Sequence, residues 1–282
     1  PIVEVTQIKG DSETRSNFSP NDEFADFENY EPYIQVGRSN YVASPADYIR
    51  PALKKGIAIQ QRVGVNPYKF GLIGSTDAHT GLSTSEENNF WGKMAADSTP
   101  ETKQRLGNSL GANGWNMSAS GLAAVWAEEN TREAIYAAFK RKETYATSGP
   151  RIRLQIFGGW KFPDKTETSP YFAKIASQYG VPMGGDLAVN DNSQKAPIFL
   201  MRAVKDPVEA NLDRLQIVKG WVAIDGVQHE KIYDVAWSGD RALDIDGKLP
   251  RVGNTVDLVS GRYKNSIGVP ELSAKWICDW LG

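Results

Sequence analysis

The sequence predicts an α/β protein in two parts, with parallel strands joined by a crossover helix over residues 1–150 and a β-rich, mainly antiparallel region over residues 151–282. Three observations carry this reading. A β-branched run opens the chain. A helical stripe and a second apolar run follow it in the order strand, helix, strand, which is the arrangement of α/β barrels. After Pro150 the pattern changes to short alternating segments separated by Gly, Asp and Asn turns.

Ile2 to Ile8 alternates Val3 and Val5 with Glu4 and Thr6, the pattern of a strand with two different faces. A polar loop through Lys9, Asp11, Ser12 and Glu13 leads to a short helix expected at Asn21 to Asn29. Ser44-Pro45 supplies an N-cap with proline behind it, and Ile49, Leu53 and Ile57 recur at four-residue steps. A helix is therefore expected to about Val63, ending at Gly64. Pro51 inside that pattern lacks a backbone donor and predicts a kink or a later start. Asn66-Pro67 turns the chain into the apolar run Phe70 to Gly74. Asn130 and Glu133 read as a capping box ahead of Ile135, Ala138 and Phe139 and the basic ending Lys140-Arg141-Lys142. In the second part, Ile152, Leu154 and Ile156 alternate with Arg151, Arg153 and Gln155. Further strands are expected at Ile198 to Val204, Arg214 to Ile224 and His229 to Trp237, with a helix near Tyr171 to Tyr179.

Composition excludes several classes of protein. Hydrophobic residues at 40% and charged residues at 23% are the usage of a folded globular chain, not of a disordered one. Acidic and basic side chains nearly balance, 34 against 32, so no global positive field points to nucleic acid or an anionic membrane as partner. The single cysteine, Cys278, cannot form an intramolecular disulfide. No stretch approaches the roughly 20 apolar residues of a membrane helix. The chain opens at Pro1 directly into a strand, which reads as the continuation of something longer.

The segment Ile73-Gly74-Ser75-Thr76-Asp77-Ala78-His79-Thr80 places a carboxylate and an imidazole two residues apart where an apolar strand becomes a loop. In a barrel that is the catalytic rim. The two donor types suit Zn²⁺, Mn²⁺ or Fe²⁺, and small Gly74 and Ser75 permit close approach of backbone or substrate. By itself Asp-x-His is a common tripeptide. A metal site also needs three or four protein ligands, and the only other histidine is His229 in the β-rich half.

The phrase Gly-Ser-Thr-Asp-Ala-His after a strand resembles the last metal motif of the PHP (polymerase and histidinol phosphatase) superfamily, with Asp77 and His79 at the ligand positions. The likeness is closer to one PHP-related bacterial family, a domain of unknown function. Its recurring phrases stand here as Val3-Glu4-Val5-Thr6-Gln7-Ile8-Lys9-Gly10-Asp11, Asn66-Pro67-Tyr68-Lys69-Phe70-Gly71, Trp126-Ala127-Glu128-Glu129-Asn130, Thr147-Ser148-Gly149-Pro150-Arg151, Leu215-Gln216-Ile217-Val218-Lys219-Gly220-Trp221 and Tyr233-Asp234-Val235-Ala236-Trp237. They run in order along nearly the whole chain. The resemblance implies a distorted (β/α) barrel, incomplete in this chain and followed by the β-rich region. It also implies a rim cluster of two or three divalent metal ions and a hydrolytic, phosphoesterase-like reaction on a small-molecule or anionic substrate.

The superfamily's His-x-His motif and its middle Glu and His ligands have no counterpart before Asp77. The resemblance therefore implies a C-terminal fragment, truncated at both ends, with an incomplete metal set and little activity alone. Asp77 and His79 would be the catalytic anchor. Glu4 either faces the mouth as a third ligand, with Gln7 and Lys9 contacting substrate, or stands as a solvated strand-end charge. Arg151 either clamps an anionic substrate bidentately or makes a structural ion pair.

Three other signals are set aside. Gly107-Asn108-Ser109-Leu110-Gly111 fits a nucleophile-elbow expression but lies in a Gly/Asn-rich stretch. Asp244-Ile245-Asp246-Gly247 lacks the other ligands of a calcium loop and reads as a turn. The eight tryptophans are scattered in the manner of packing residues. The rival to a hydrolase is a binding or structural module whose β-rich half recognises a polymer or partner, with the Asp77–His79 pair inert.

Overall fold

A computed structural model describes residues 1–30, 42–82, 85, 89, 91–94, 99, 117, 120–189 and 195–279. The chain divides into two compact units, one of Pro1–Pro150 with Gly220–Glu230 and one of Arg151–Lys219 with Lys231–Gly282.

In the first unit, β1 (Ile2–Gln7) pairs antiparallel with the two-residue β2 (Gly10–Asp11) and parallel with β3 (Gly71–Gly74). Helix α1 (Ile49–Val63) lies between β1 and β3 in the chain, so strand, crossover helix and parallel strand follow one another as the pattern predicts. Val5 and Ile8 are buried beneath this sheet's polar loop. A second, antiparallel pair, β4 (Leu122–Val125) and β5 (Thr144–Thr147), is connected through helix α2 (Arg132–Arg141).

The helix ends follow local chemistry, with two corrections to expectation. Pro45–Asp47 forms a separate 3-10 turn, and α1 starts only at Ile49. Pro51 is then the third helical residue, where its missing N–H has no intrahelical acceptor to lose, so no kink arises. Gly64 ends α1 in the left-handed conformation, φ 81°, with its N–H on Gln60 O. The cap of α2 is Thr131 rather than Asn130: its hydroxyl accepts from Ala134 N at 3.3 Å, which puts Glu133 in the second helical position. Asn21 to Asn29 is not helical. Asp22 takes the N–H of Phe24 on its own carboxylate at 2.9 Å, and the chain continues through turns such as Ala25 N on Asp22 O.

The second unit holds β6 (Arg153–Gly159), helix α3 (Phe172–Tyr179), β7 (Gly180–Pro182), β8 (Ile198–Val204), most of β9 (Arg214–Val222) and β10 (Gln228–Trp237), and β11 (Glu271–Ile277). Four of these strands form one antiparallel sheet in the order β11-β8-β6-β7, and β9 pairs with β10. Strand alternation splits the apolar side chains between two faces. Phe157 and Leu200 point to one face and bury α3 through Phe172 and Ala176, with Phe162. Met201, Ala203, Leu272 and Ala274 point to the other and pack on Leu215, with Ile217 and Val235 of the hairpin. The Phe157 and Phe172 rings meet edge to face at 5.6 Å.

Among the described residues the fold is thus mixed α/β, with antiparallel strand pairs in both units and one parallel pair of strands, β1 and β3, in the first. Among the described residues the strands form four separate sheets and none closes into a barrel, because β4 and β5 pair with each other rather than extending the β1–β3 pair. No helix among the described residues is long and apolar enough to cross a membrane.

Leu200 is fully buried between sheet and helix. Leu200→Ala is expected to lower stability by about 2–5 kcal/mol, read from urea unfolding followed by tryptophan fluorescence. A loss under about 1 kcal/mol would mean that the site collapses or that the packing is not as described.

Candidate functional site

The ends of β1, β3 and β4 come together because two glycines remove every side-chain atom from the contact. A Cβ on Gly74 would stand 2.8 Å from Leu122 O, and one on Gly121 would stand 2.5 Å from Thr6 O and 2.8 Å from Ser75 O. Backbone hydrogen bonds close the junction: Ser75 N donates to Thr6 O at 3.0 Å and Gly121 N to Ser75 O at 3.1 Å. The loop carrying Asp77 and His79 leaves from this point. The expected close approach at Gly74 is therefore made by the protein's own backbone.

Asp77 adopts φ 47°, in the left-handed region that aspartate tolerates better than most residues. The turn brings its carboxylate back toward His79, with Oδ1 3.2 Å from Nε2. His79 is pinned from behind, its N–H donating to Lys93 O at 2.7 Å in a short bridge beside Met94.

Two ammonium groups converge on the same carboxylate. Lys9, in the β1–β2 turn, forms an ion pair with Asp77 Oδ2, and Lys93 Nζ reaches that oxygen at 2.6 Å. Lys93 also donates to the Asp77 carbonyl and lies 3.0 Å from His79 Nε2. The same Nε2 thus faces both an ammonium, which only donates, and the Asp77 carboxylate oxygen, which only accepts. The Lys93 side chain is 7% exposed, where a charge needs nearby acceptors. Burial and the like charge of Lys93 push the Lys9 pKa down to about 8, against the raising influence of Glu4.

Of the residues singled out by sequence, the structure joins Asp77, His79 and Lys9 and keeps Glu4 beside them. Glu4 Oε1 accepts from Ser75 Oγ at 2.7 Å, which ties it to the loop that carries Asp77 and His79. Gln7 Oε1 accepts from Lys9 N at 3.3 Å and so shapes the Lys9 turn. Arg151 belongs to the other unit, where its backbone N–H donates to Asp206 at 2.7 Å. That bond, with one from Val208, holds the Asp206 carboxyl below its usual range. His229 stacks on Trp221 with ring centroids 5.1 Å apart. The Gly107–Gly111 stretch lies outside the described residues. Asp244 Oδ1 accepts from Asp246 N and Lys248 N, the side-chain-to-backbone bonding of a turn.

The donor chemistry at Asp77 and His79 fits a cation, because Lys93 already places one against both donors. Two side chains do not complete the coordination of a divalent ion. Among the described residues no group of three or more His, Cys, Asp or Glu side chains gathers to hold one.

Sequence reasoning missed Lys93 and a second ionic cluster. Arg50, at the start of α1, donates from Nε to Glu13 and from a terminal nitrogen to Asp22, both at 2.6 Å, and stands 3.6 Å from Glu230. Lys54 Nζ and Ser19 Oγ reach the same Glu230 at 2.9 and 2.7 Å. This gives the Asp11–Glu13 loop a structural role: Glu13 orients Arg50, and Asp11 accepts the Glu13 N–H. Near the strand junction, the Ser120, Thr144 and Thr147 hydroxyls are buried with no hydrogen-bond partner among the described residues.

Residues 1–279 match the profile of the family described as "Protein of unknown function (DUF3604)", and the chain belongs to that family. No curated protein matches the chain, and no solved structure does.

Two outcomes follow from the ionic clusters. Arg50→Met leaves Glu13 and Asp22 without their buried counter-charge and is expected to cost about 3–5 kcal/mol in urea unfolding; a change under about 1 kcal/mol would show the cluster to be solvated. Burial pushes the Asp11 carboxyl up from 3.8 to about 7, so the folded state favours its neutral form. Its stabilising contribution is complete below the unfolded pKa and is lost as pH rises through about 7. Asp11→Asn, which keeps the acceptor oxygen, is expected to retain more stability than the unsubstituted protein on going from about pH 5 to about pH 8. Parallel pH profiles for the two proteins would contradict this.

Proposed function

We propose that Asp77 and His79 form one corner of a metal-dependent hydrolase site of the PHP type, acting in a phosphoesterase-like manner on a small anionic substrate. The observation that carries the reading is the convergence of the Asp77 carboxylate and His79 Nε2 on a single cationic group at the end of β3. The order β1, α1, β3 supports it, since parallel strands joined by a helix are the repeating element of an α/β barrel. In this reading β1 and β3 are neighbouring barrel strands and the loop after β3 is part of the rim.

A divalent ion such as Zn²⁺, Mn²⁺ or Fe²⁺ supplies a bound water of lowered pKa and a Lewis acid for the substrate oxygen. The chain's own residues do the rest. Asp77 and His79 offer a carboxylate oxygen and an imidazole nitrogen 3.2 Å apart. Glu4, held by Ser75, keeps a second carboxylate within the field of Lys9. Lys9 and Lys93 hold positive charge at the site and favour an anionic group there. Gln7 fixes the turn from which Lys9 projects. Arg151 is retained as an anion-binding candidate on sequence resemblance alone.

The test is Mn²⁺ binding to the protein and to Asp77→Ala and His79→Ala variants, with the free ion counted by electron paramagnetic resonance. Each variant is expected to bind at least about tenfold more weakly, the penalty typical of losing one ligand or its support. Hydrolysis of an aryl phosphate should fall with it. Unchanged Mn²⁺ binding in both variants sinks the reading.

A further inference from the structure

The connection from β10 to β11 runs over residues 238–270 without a helix or strand, a length that compact domains seldom carry without a use for it. It is ordered nonetheless. At its start Trp237 Nε1 donates to Arg241 O at 2.7 Å, and the Arg241 guanidinium donates to Asp213 Oδ1 at 2.6 Å and to Pro250 O at 2.8 Å, beside buried Leu249. At its end Asn211 N donates to Asn265 Oδ1 at 2.8 Å, and Leu212 bridges Val269. Between these anchors lie two tight turns, one closed by Asp244 N on Lys248 O at 2.9 Å and one by Asp257 N on Arg262 O at 2.7 Å. Each tip presents aliphatic side chains to water: Ile245 is 100% exposed, Leu258 89% and Val259 99%. Apolar side chains held out on ordered backbone mark a contact surface.

The two tips differ in charge. The first carries Asp240, Asp244 and Asp246 against Lys248, with Arg241 turned onto Asp213, so it is acidic. The second carries Arg251, Arg262 and Lys264 against Asp257, so it is basic. Apart from Arg241 and Asp213 these side chains are exposed. We propose that residues 240–264 form a self-association surface, on which the acidic tip at Ile245 meets the basic tip at Leu258 and Val259 of a second copy of this chain. A surface with one acidic and one basic half is its own complement under a two-fold axis, since the rotation lays each half on the other and the same pairing occurs twice. Ile245 then meets Leu258 and Val259 between the charged groups, giving an apolar centre with a polar rim. Asp244 and Asp246, on either side of Ile245, would be repelled by an anionic bilayer, which sets a lipid surface aside as the occupant. The surface belongs wholly to the unit of Arg151–Lys219 with Lys231–Gly282 and makes no use of the Asp77 corner.

The test is sedimentation equilibrium of the full chain over a range of protein concentration. The chain is expected to dimerise reversibly, and more weakly as salt is raised. Ile245→Ser, and Leu258→Ser combined with Val259→Ser, should each raise the dimer Kd at least about tenfold, because the removed side chains form the centre of the contact. Asp246→Lys and Arg262→Glu should each weaken the dimer. The two together should restore much of what either alone loses, because the reversed charges again face their opposites in the second copy. All of these positions are exposed, so each variant's thermal midpoint, at a concentration where the parent is monomeric, should match the parent's. A chain that stays monomeric at the highest concentration, a dimer indifferent to the tip variants, or a double reversal as weak as its two singles combined overturns the proposal. So does a monomer that instead binds phosphatidylserine vesicles through Leu258 and Val259.

Discussion

Close contact of backbones at Gly74 and Gly121 sets the position of everything at the candidate site. Where the end of β3 meets β4 and the last turn of β1, carbonyl oxygens stand within 2.5 to 2.8 Å of where a Cβ would be, so no other residue fits without moving the chain. Each strand end is then tied to the next by Ser75 N on Thr6 O and Gly121 N on Ser75 O. A loop that starts from so fixed a base has few ways to leave it. The left-handed turn at Asp77 is one, and it folds the carboxylate back across His79. Strain of this kind persists only where the surroundings determine it, and here the junction and the two lysines do so.

The two ionic clusters of the first unit use different cations for different ends. Arg50 presents a rigid planar fork to Glu13 and Asp22, both hydrogen-bonded to it, with Glu230 3.6 Å away, so two carboxylates hold one guanidinium through directed hydrogen bonds and a third adds its charge. Removing any member strands the others, which makes the cluster a fixed joint. At Asp77 the cations are two lysines, point charges on flexible stems, meeting a carboxylate that is itself 22% exposed. Such contacts exchange one partner for another at little cost in geometry. The chemical contrast is between a rigid planar fork and two point charges on flexible stems.

Much of the architecture was legible in side-chain periodicity. The alternation through Ile198–Val204 and the residues before Gly159 places strands and even assigns their faces, because a two-sided sheet needs apolar residues at both parities. The run Leu122–Val125 escaped notice because four small apolar residues carry no period. Strand β11 escaped because it follows a long polar tract, although Leu272, Ala274 and Trp276 alternate with Ser273 and Lys275. Asn21–Asn29 forms turns rather than the expected helix because Asp22 places its carboxylate on the Phe24 N–H and on Arg50. For the site, the Asp77–His79 pair was visible as a motif at a strand end. Lys93 was not, since an isolated lysine in a polar stretch has no spacing signal and gains meaning only when the fold sets it against an acceptor.

The same limit applies to how the first unit is assembled from the sequence. Glu230 binds Lys54 and Ser19, which precede it by 176 and 211 residues, so this part of the joint at α1 forms only when the distant segment is present. Contacts of that separation carry a large loop-closure penalty and tend to form late. Residues 1–150 alone hold Arg50 and Lys54 without one of their shared counter-charges, which Gly220–Glu230 supplies. The carboxylate that Lys54 and Ser19 share is thus supplied by the Gly220–Glu230 segment, which belongs to the same unit. The loop from Asp11 to Asp22 runs from the β1–β2 pair to the Arg50 cluster, where Glu13 and Asp22 hold the guanidinium.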